Sequence, residues 1–236
     1  MRHGPSGANA GSPRKVVLVL SGGLDSTVLA HRLRAEGCDL TMLSFNYGQS
    51  HRRELEFAYR TAASLGGAHR VVQLGAIAEL LAGSSLTDPA VAMPDGHYSD
   101  SSMRATVVSN RNAIMLDVAV AHAVAIGASA VALGAHAGDH PIYPDCRPSF
   151  VAAYEQMVRV ANEGFIDSDF VVLAPFINAS KSQIVAEGAR LGVPFEDTWS
   201  CYRGGARHCG RCGTCVERRE AFFVANVADP TEYEVP

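Results

Sequence analysis

The 236-residue chain lacks the features that assign many proteins to a class at once. No uninterrupted apolar run approaches the length of a membrane span, and residues 1–13, rich in Gly, Ser, Pro and Ala, hold no apolar segment typical of signal peptides. The formal net charge is −4, so no overall basic field favours binding to nucleic acid. The first two absences predict a cytoplasmic protein without a membrane partner, and the composition of 1–13 predicts a flexible tail. Without an overall basic field, the pairs Arg52-Arg53 and Arg218-Arg219 are expected to lie on solvated helix faces.

What is present indicates one α/β domain. Apolar residues make up 47% of the chain and charged residues 19%, as in ordinary globular proteins. Apolar runs predict strands at 15–20, 40–45, 69–74, 130–134 and 170–174, and helical patterns at 26–36, 53–65, 112–126, 148–160 and 182–191 separate them. This alternation predicts a doubly wound parallel sheet, similar to a Rossmann fold, that binds its ligand beyond the carboxyl ends of the strands. The long polar stretch at 83–104 is interpreted as a lid, a binding loop or a disordered excursion.

A glycine-rich loop, Ser21-Gly22-Gly23-Leu24-Asp25-Ser26, lies between the first strand and the first helix. Two glycines let the backbone approach a ligand, the helix amides point outward, and Ser21 and Ser26 add hydroxyl groups, so the loop suits an anion. It lacks the Lys-Ser/Thr pair of a Walker A loop. Lys181, at the start of a later helix, is a second candidate for phosphate binding. The alternatives are an ordinary strand-to-helix turn and a surface lysine.

Four of the six cysteines crowd into a C-terminal segment with the spacing C-x7-C-x2-C-x2-C: Cys201, Cys209, Cys212 and Cys215. Four thiolates fit a structural, tetrahedral zinc site. An iron–sulfur cluster is the alternative, although the further cysteine common in ferredoxins is absent. Because arginines surround the motif (Arg203, Arg207, Arg211, Arg218 and Arg219), a nucleic-acid-binding ribbon is a second alternative. We expect a main domain at 14–196 and a zinc-binding segment at 197–236 that covers the active site.

The string S-G-G-x-D-S resembles the pyrophosphate loop (PP-loop) of the N-type ATP pyrophosphatases, which activate a carboxylate or carbonyl oxygen at the α-phosphate of ATP. Taken together, six segments resemble one subfamily, the 7-cyano-7-deazaguanine (preQ0) synthases of queuosine-precursor biosynthesis. They are 21–28, Phe45-Asn46-Tyr47-Gly48-Gln49, Ser109-Asn110-Arg111-Asn112, Tyr143-Pro144-Asp145-Cys146-Arg147-Pro148, 181–185, and 198–215 with its Thr198-Trp199-Ser200-Cys201-Tyr202 start. The resemblance implies that 7-carboxy-7-deazaguanine is adenylated, that ammonia converts it to the amide, and that renewed activation gives the nitrile. It also implies ATP, Mg²⁺ and Zn²⁺ as cofactors and a homodimer.

The resemblance also implies roles for individual residues. Ser21, Asp25, Lys181 and Arg111 are expected to be catalytic, with Asp25 assisting magnesium. ATP is expected to contact Leu20, Ser21, Gly22, Gly23, Leu24, Asp25, Ser26, Thr27, Phe45, Tyr47 and Gln49. The deazapurine is expected to contact Arg111, Asn112, Asp139, Tyr143, Asp145, Arg147 and Trp199. A guanidinium fork suits a carboxylate or a phosphate, and a carboxylate pairs with a guanine-like edge. Trp199 could stack on a heterocycle or anchor the core, and His136 and His140 flank the base-recognition loop.

Two short segments depart from the family pattern. This chain has Asp139-His140-Pro141-Ile142 where the family usually has Asp-Tyr-Ser-Gly, and Ser109-Asn110 where it often has Pro-Gly. Both lie in the expected substrate loops, so they do not affect the expected adenylation. They leave open which amine accepts the activated deazapurine and how far the reaction proceeds. The alternatives are a variant that stops at the amide or joins the activated deazapurine to another amine, and a tRNA-thiolating or RNA-binding protein.

Overall fold

The computed structural model describes residues 14–81, 83–98 and 101–235, so the predicted tail at 1–13 lies outside the described residues. Five parallel strands form one sheet in the order β3-β2-β1-β4-β5. They are β1 (Lys15–Val19), β2 (Asp39–Asn46), β3 (Ala68–Gln73), β4 (Ala130–Ala132) and β5 (Val171–Leu173). The predicted parallel α/β sheet is therefore confirmed, with each strand within a few residues of the apolar run that predicted it.

Helices connect the strands and cover both faces of the sheet. They are α1 (Leu24–Ala35), α2 (Glu54–Leu65), α3 (Gly75–Ala78), α4 (Arg111–Ile126), α5 (Pro148–Ala161), α6 (Lys181–Arg190) and α7 (Gly213–Ala225). Within β1, Val17 packs in one core with α4 and α5, whereas Val16 and Leu18 pack in the other with α1 and α6. Successive side chains of a strand point to opposite faces, so a strand covered on both faces reads as a continuous apolar run.

The strand order places a ligand site beside β1. The chain passes from β1 outward to β2 and β3, then returns to β4 on the other side of β1. In open α/β sheets, the crevice where the strand order reverses is the usual ligand site. The glycine-rich loop follows β1 at this crevice, and the segment beginning at Leu133 follows β4.

The C-terminal helix α7 was not predicted from the sequence. It packs against α6, and its Ala221 and Phe222 belong to the same core as α1 and α6. The prediction that Arg218 lies on a solvated helix face is wrong, because its side chain is completely buried. In the part of the chain that the structure describes, no helix has both the length and the apolar character needed to cross a bilayer.

Candidate active site

The glycine-rich loop forms a tight turn at the start of α1 with groups that suit an anion. The Ser21 and Ser26 hydroxyls are 3.0 Å apart, Ser21 N donates to Ser26 Oγ (3.2 Å), and Gly23 N donates to Ser21 Oγ (3.1 Å). Gly23 is the N-cap residue of α1, and no side chain caps the helix. The first amides of α1 are therefore available to an anion, which the positive end of the helix dipole also favours.

Close backbone packing holds this loop in place. Gly22 has a φ of +88°, and a Cβ there would lie 2.1 Å from the backbone oxygen of Glu54 in α2. Gly134, after β4, approaches the loop so closely that a Cβ would lie 3.1 Å from Ser26 N. Only glycine fits at position 22, because other residues rarely adopt this φ and a side chain would clash with the backbone.

Lys181 extends from the first turn of α6 into the same cleft. Its Nζ donates to Asp25 Oδ2 at 2.6 Å and lies 3.2 Å from Glu217 Oε2, a residue of α7. His136 and Asp139, which follow β4, complete the cluster: His136 Nε2 is 3.5 Å from Asp139 Oδ1 and 3.8 Å from Glu217 Oε1. The interpretation of Lys181 as a surface lysine is thus excluded for this fold, since only 13% of its side chain is exposed.

The charges in this cluster perturb one another. Burial alone would raise the pKa of Asp25, but the neighbouring charge and hydrogen bond of Lys181 outweigh burial and lower it. Burial alone would lower the pKa of Lys181, yet Asp25, Glu217 and Asp139 raise it above its usual value. Burial raises the pKa of Glu217, and Lys181 offsets only part of that rise. Lys181 is therefore a permanent cation at neutral pH in a site that is short of positive charge.

Asp25 fits the expected role of a magnesium ligand. Its Oδ2 accepts the hydrogen bond of Lys181, whereas its Oδ1 is fully buried and has no hydrogen-bond partner. A buried carboxylate oxygen without a partner is costly unless a cation or donor arrives with the ligand. Oxygen ligands from one or two carboxylates, together with substrate phosphates, are the usual environment of Mg²⁺ in nucleotide-using enzymes.

Arg111 begins α4 on the opposite wall of the cleft. Its Nη1 donates to Tyr47 Oη at 3.5 Å, and no carboxylate of the described residues lies within ion-pair distance of its guanidinium. Burial raises the pKa of Tyr47 to about 12, so this phenol is neutral at physiological pH and does not neutralise the arginine. Arg111 is therefore a cation available to an anionic group of a ligand.

The four C-terminal cysteines form one buried cluster next to the cleft. Their four sulfur atoms lie within 4.8 Å of one another, and Cys209 Sγ is 4.0 Å from Cys215 Sγ. Sulfur atoms around a tetrahedral zinc at 2.3 Å are about 3.8 Å apart, so this set fits that geometry. Cys209 N and Cys212 N point at Cys201 Sγ and Cys209 Sγ at 3.4 and 3.3 Å, as amides that stabilise thiolates do.

Comparison with known proteins decides the family. A family model described as queuosine biosynthesis protein QueC matches residues 15–226. The chain belongs to the QueC family. A 7-cyano-7-deazaguanine synthase from Rhizobium meliloti is 55% identical over 222 residues, which cover 94% of this chain and 93% of that protein. A second synthase of that name, from Sinorhizobium fredii, is 54% identical over the same shares.

A solved structure supports the fold. The NMN synthetase from Francisella tularensis has a TM-score of 0.50 and is 17% identical, with 90% of this chain and 77% of that chain covered. This likeness concerns the fold alone. The resemblance to the preQ0 synthases that the six sequence segments carried is thus confirmed at the level of the QueC family.

Most of the residues predicted for the site line the cleft of this QueC-family protein. From the ATP set, the cleft is lined by Ser21, Gly23, Leu24, Asp25, Ser26 and Tyr47, and from the substrate set by Arg111, Asn112, Asp139, Tyr143 and Trp199. Lys181 also lines it. Trp199 is anchored in the core, since it packs against Phe57 and His208 with ring centroids 5.5 and 4.3 Å away and is 4% exposed. Stacking of a ligand heterocycle on its ring stays a prediction.

The other predicted residues support the cleft from behind. Leu20 and Phe45 are core residues. The Thr27 and Thr61 hydroxyl oxygens are 3.4 Å apart. Gln49 is fully buried, and its side-chain amide accepts from Tyr47 N and donates to Phe45 O. Gly22 acts through its backbone. Asp145 Oδ2 accepts from Asn112 N at the start of α4, and the exposed Arg147 donates to His140 O. Direct ligand contact by these residues stays a prediction.

The two departures from the family pattern leave the cleft lining intact. Asn110 precedes α4 with a φ of +60°, a conformation that glycine adopts freely and asparagine tolerates better than other residues. Asparagine is therefore compatible with this backbone conformation at the position where the family often has glycine. In the second segment, Ile142 is buried in the core, and His140, Pro141 and Ile142 do not line the cleft, whereas Asp139 does.

Several cleft residues were not predicted from the sequence. Tyr98 comes from the long loop, where the bonds from Arg203 Nη2 to Asp95 Oδ1 (2.7 Å) and Met93 O (3.0 Å) hold the chain against the cysteine segment. The Tyr98 hydroxyl donates to Asp139 Oδ1 at 2.9 Å. His51, Glu54, Ser200, Tyr202 and Thr214 also line the cleft. Ser200 and Tyr202, on either side of Cys201, were signalled by their place in the Trp-Ser-Cys-Tyr string.

Proposed function

We propose that this protein converts 7-carboxy-7-deazaguanine and ammonia into 7-cyano-7-deazaguanine with ATP, as the names of its relatives indicate for them. The observation that carries the proposal is the pairing, in one cleft, of the uncapped α1 loop with Arg111. The loop suits a polyphosphate, and a cation without a carboxylate partner suits a carboxylate substrate. Adenylation of a carboxylate needs both groups side by side.

The chemistry requires two activations. In the first, a carboxylate oxygen attacks the α-phosphate, diphosphate leaves, and ammonia then displaces AMP to give the amide. In the second, the amide oxygen is activated in the same way and leaves with AMP, which yields the nitrile. Each AMP thus carries away one oxygen of the original carboxylate, so one nitrile corresponds to two AMP.

The residues of the cleft and the cysteine cluster have different roles in this reaction. The Ser21–Ser26 hydroxyls and the α1 amides bind the diphosphate, and Lys181 stabilises the charge that grows on it as the bond breaks. Arg111 orients the substrate carboxylate toward the α-phosphate, and the neutral Tyr47 phenol beside it excludes water. Asp25 would hold Mg²⁺, which supplies charge neutralisation at the phosphates. Cys201, Cys209, Cys212 and Cys215 would hold a structural Zn²⁺. A homodimer and ATP binding near Tyr47 follow from the resemblance, and a cytoplasmic location stays the prediction drawn from the sequence.

The test is incubation of the zinc-loaded protein with 7-carboxy-7-deazaguanine, MgATP and ammonium, followed by mass spectrometry of products and AMP. We expect the nitrile with two AMP for each molecule. Arg111→Lys should raise KM for the carboxylate about tenfold or more, because the planar fork contributes about 1.5–3 kcal/mol through its charged hydrogen bonds. The exposed Arg104→Lys is the matched control and should leave KM unchanged.

The outcomes separate the alternatives. Accumulation of the amide with one AMP would identify a variant that stops early, and consumption of ATP only with an added amine would identify a conjugating enzyme. Neither nitrile nor amide with ammonium would refute the proposal.

A further inference from the structure

Glu217 is a buried acidic residue in contact with Lys181 of the cleft, and the proposed function assigns it no role. It lies in the second turn of α7, and 13% of its side chain is exposed. Its Oε2 is 3.2 Å from Lys181 Nζ, an ion-pair contact without the angles of a hydrogen bond. Nothing in the sequence pattern pointed to Glu217, because α7 was not predicted and its register toward the cleft was therefore unknown.

The charges around Glu217 do not balance. Three carboxylates, those of Asp25, Asp139 and Glu217, surround the one ammonium of Lys181. His136 lies in the same cluster, with its Nε2 3.3 Å from Lys181 Nζ, and even a charged imidazole there would leave three carboxylates facing two cations. The cluster therefore carries an excess of negative charge at the place where a diphosphate, itself anionic, is expected to bind. Without a further cation, the phosphates and the carboxylates would repel each other.

The structure also offers the atoms that such a cation needs. Asp25 Oδ1 and Glu217 Oε2 are fully buried, and neither accepts a hydrogen bond. The two carboxylates contact the same Lys181 ammonium, at 2.6 Å from Asp25 Oδ2 and 3.2 Å from Glu217 Oε2, so they lie on either side of one group. Asp139 differs from them, because its Oδ1 accepts from Tyr98 and its Oδ2 accepts from His136 N. The free acceptors are thus those of Asp25 and Glu217.

We infer that Glu217 is a magnesium ligand, and that it joins Asp25 in binding the cation that accompanies the ATP diphosphate. This inference rests on the proposed function, which supplies the nucleotide. One or two carboxylates with substrate phosphates and water are the usual ligands of Mg²⁺ in such sites. The pair then explains why Asp25 Oδ1 accepts no hydrogen bond in the protein and why Glu217 Oε2 has only the ion-pair contact with Lys181.

The position of Glu217 depends on the cysteine cluster. Cys212 is the N-cap residue of α7, Cys215 lies in its first turn, and Glu217 follows two residues later. Arg218, the next residue, anchors the same turn through bonds to Thr198 Oγ1, Ser200 Oγ and Phe195 O. A zinc ion bound by the cysteines would fix the start of α7 and thereby place the Glu217 carboxylate. The metal-binding segment therefore contributes a ligand to the active site in addition to covering it.

Manganese binding tests the assignment, because Mn²⁺ replaces Mg²⁺ at oxygen sites and its free form has a strong electron paramagnetic resonance signal. Zinc-loaded wild type, Glu217→Gln, Asp25→Asn and Glu220→Gln are titrated with Mn²⁺ without nucleotide. Glu220 is on the same helix, with 54% of its side chain exposed, and is the matched control. We expect one Mn²⁺ site in wild type and in Glu220→Gln, and a Kd raised at least about tenfold in Glu217→Gln and Asp25→Asn.

Zinc content and melting temperature report whether α7 remains in place, and both should match wild type in Glu217→Gln. A Glu217→Gln protein that binds Mn²⁺ like wild type but has a raised KM for ATP would overturn the assignment and make Glu217 a positioning residue for Lys181. Absence of a Mn²⁺ site in wild type would overturn it as well. The proposed function fails separately, by absence of nitrile and amide in a protein whose Mn²⁺ site behaves as expected.

Discussion

Replacement of Arg218 by methionine should remove a large share of the stability of this protein. The Arg218 side chain is completely buried, and its guanidinium donates to Asp229 Oδ1 (3.2 Å), Thr198 Oγ1 (2.7 Å) and Phe195 O (3.1 Å). Its Cζ also lies 5.0 Å from the centroid of the Phe222 ring. Methionine fills much of the same space but donates no hydrogen bond, so the change isolates the polar contacts from the packing.

The magnitude follows from what is left behind. Removal of one partner of a buried ion pair costs about 3–5 kcal/mol, because the other charge stays buried without compensation. Asp229 keeps its bonds from Tyr233 Oη (2.6 Å) and Thr231 N (3.1 Å), which favours the lower end of that range. The unpaired Phe195 carbonyl adds about 1 kcal/mol or more. A total near 4 kcal/mol corresponds to a decrease in melting temperature of about 10 °C for a chain of this size.

The assay is urea unfolding with zinc present, on wild type, Arg218→Met, Asp229→Asn and the double variant. Arg219→Met is the matched control, because Arg219 bonds only to the Gly210 and Val235 carbonyls in the described structure and stacks on Tyr233. It should lose less than about 1 kcal/mol. The double variant should recover at least about 1 kcal/mol relative to the sum of the single variants. Equal losses in Arg218→Met and Arg219→Met, or strict additivity in the double variant, would refute the reasoning.

Two further predictions concern the metal cluster and the start of α4. Cys212→Ser should reduce the zinc content, measured by elemental analysis, from about one per chain and should lower the melting temperature. Cys38→Ser changes a buried cysteine outside the cluster and should keep its zinc. A stable, zinc-free wild type would contradict this prediction. Asn110→Val should destabilise the protein by about 1–2 kcal/mol, because a β-branched residue tolerates a φ of +60° poorly. Asn110→Gly should be as stable as wild type or more so. Equal melting temperatures for the valine and glycine variants would show that the backbone relaxes at no cost, against the prediction.

Local patterns were sufficient where one stretch of chain carries a complete signal. The apolar runs became β1 to β5 because strands buried on both faces must be apolar throughout. The glycine-rich loop forms the expected turn from β1 into α1 because its conformation depends on its own glycines and on the helix that follows. The cysteine spacing predicted one cluster, and the four sulfur atoms do meet.

Patterns were insufficient where a role depends on distant neighbours. Arg218 was assigned to the surface because a pair of arginines resembles a solvated face, but Asp229 and Thr198 compensate its burial. α7 was missed because cysteines, arginines and glycines interrupt its apolar periodicity, and its place is set by packing against α6. Gln49 carries a polar side chain in a motif, and its place in the motif did not show that its amide binds Tyr47 N, Phe45 O and Glu54 Oε1.

The sequence alone determined the family, the parallel sheet, the phosphate loop and the cysteine cluster, since each depends on short-range spacing that a few residues specify. Only the tertiary structure decided which charged groups share the cleft. Lys181 and Glu217 are 36 residues apart and Asp25 is 156 residues from Lys181, and no local pattern records that three elements bring them together. Their contacts arise because α1, α6 and α7 pack on one face of the sheet, so the excess of negative charge in the site is a property of the fold.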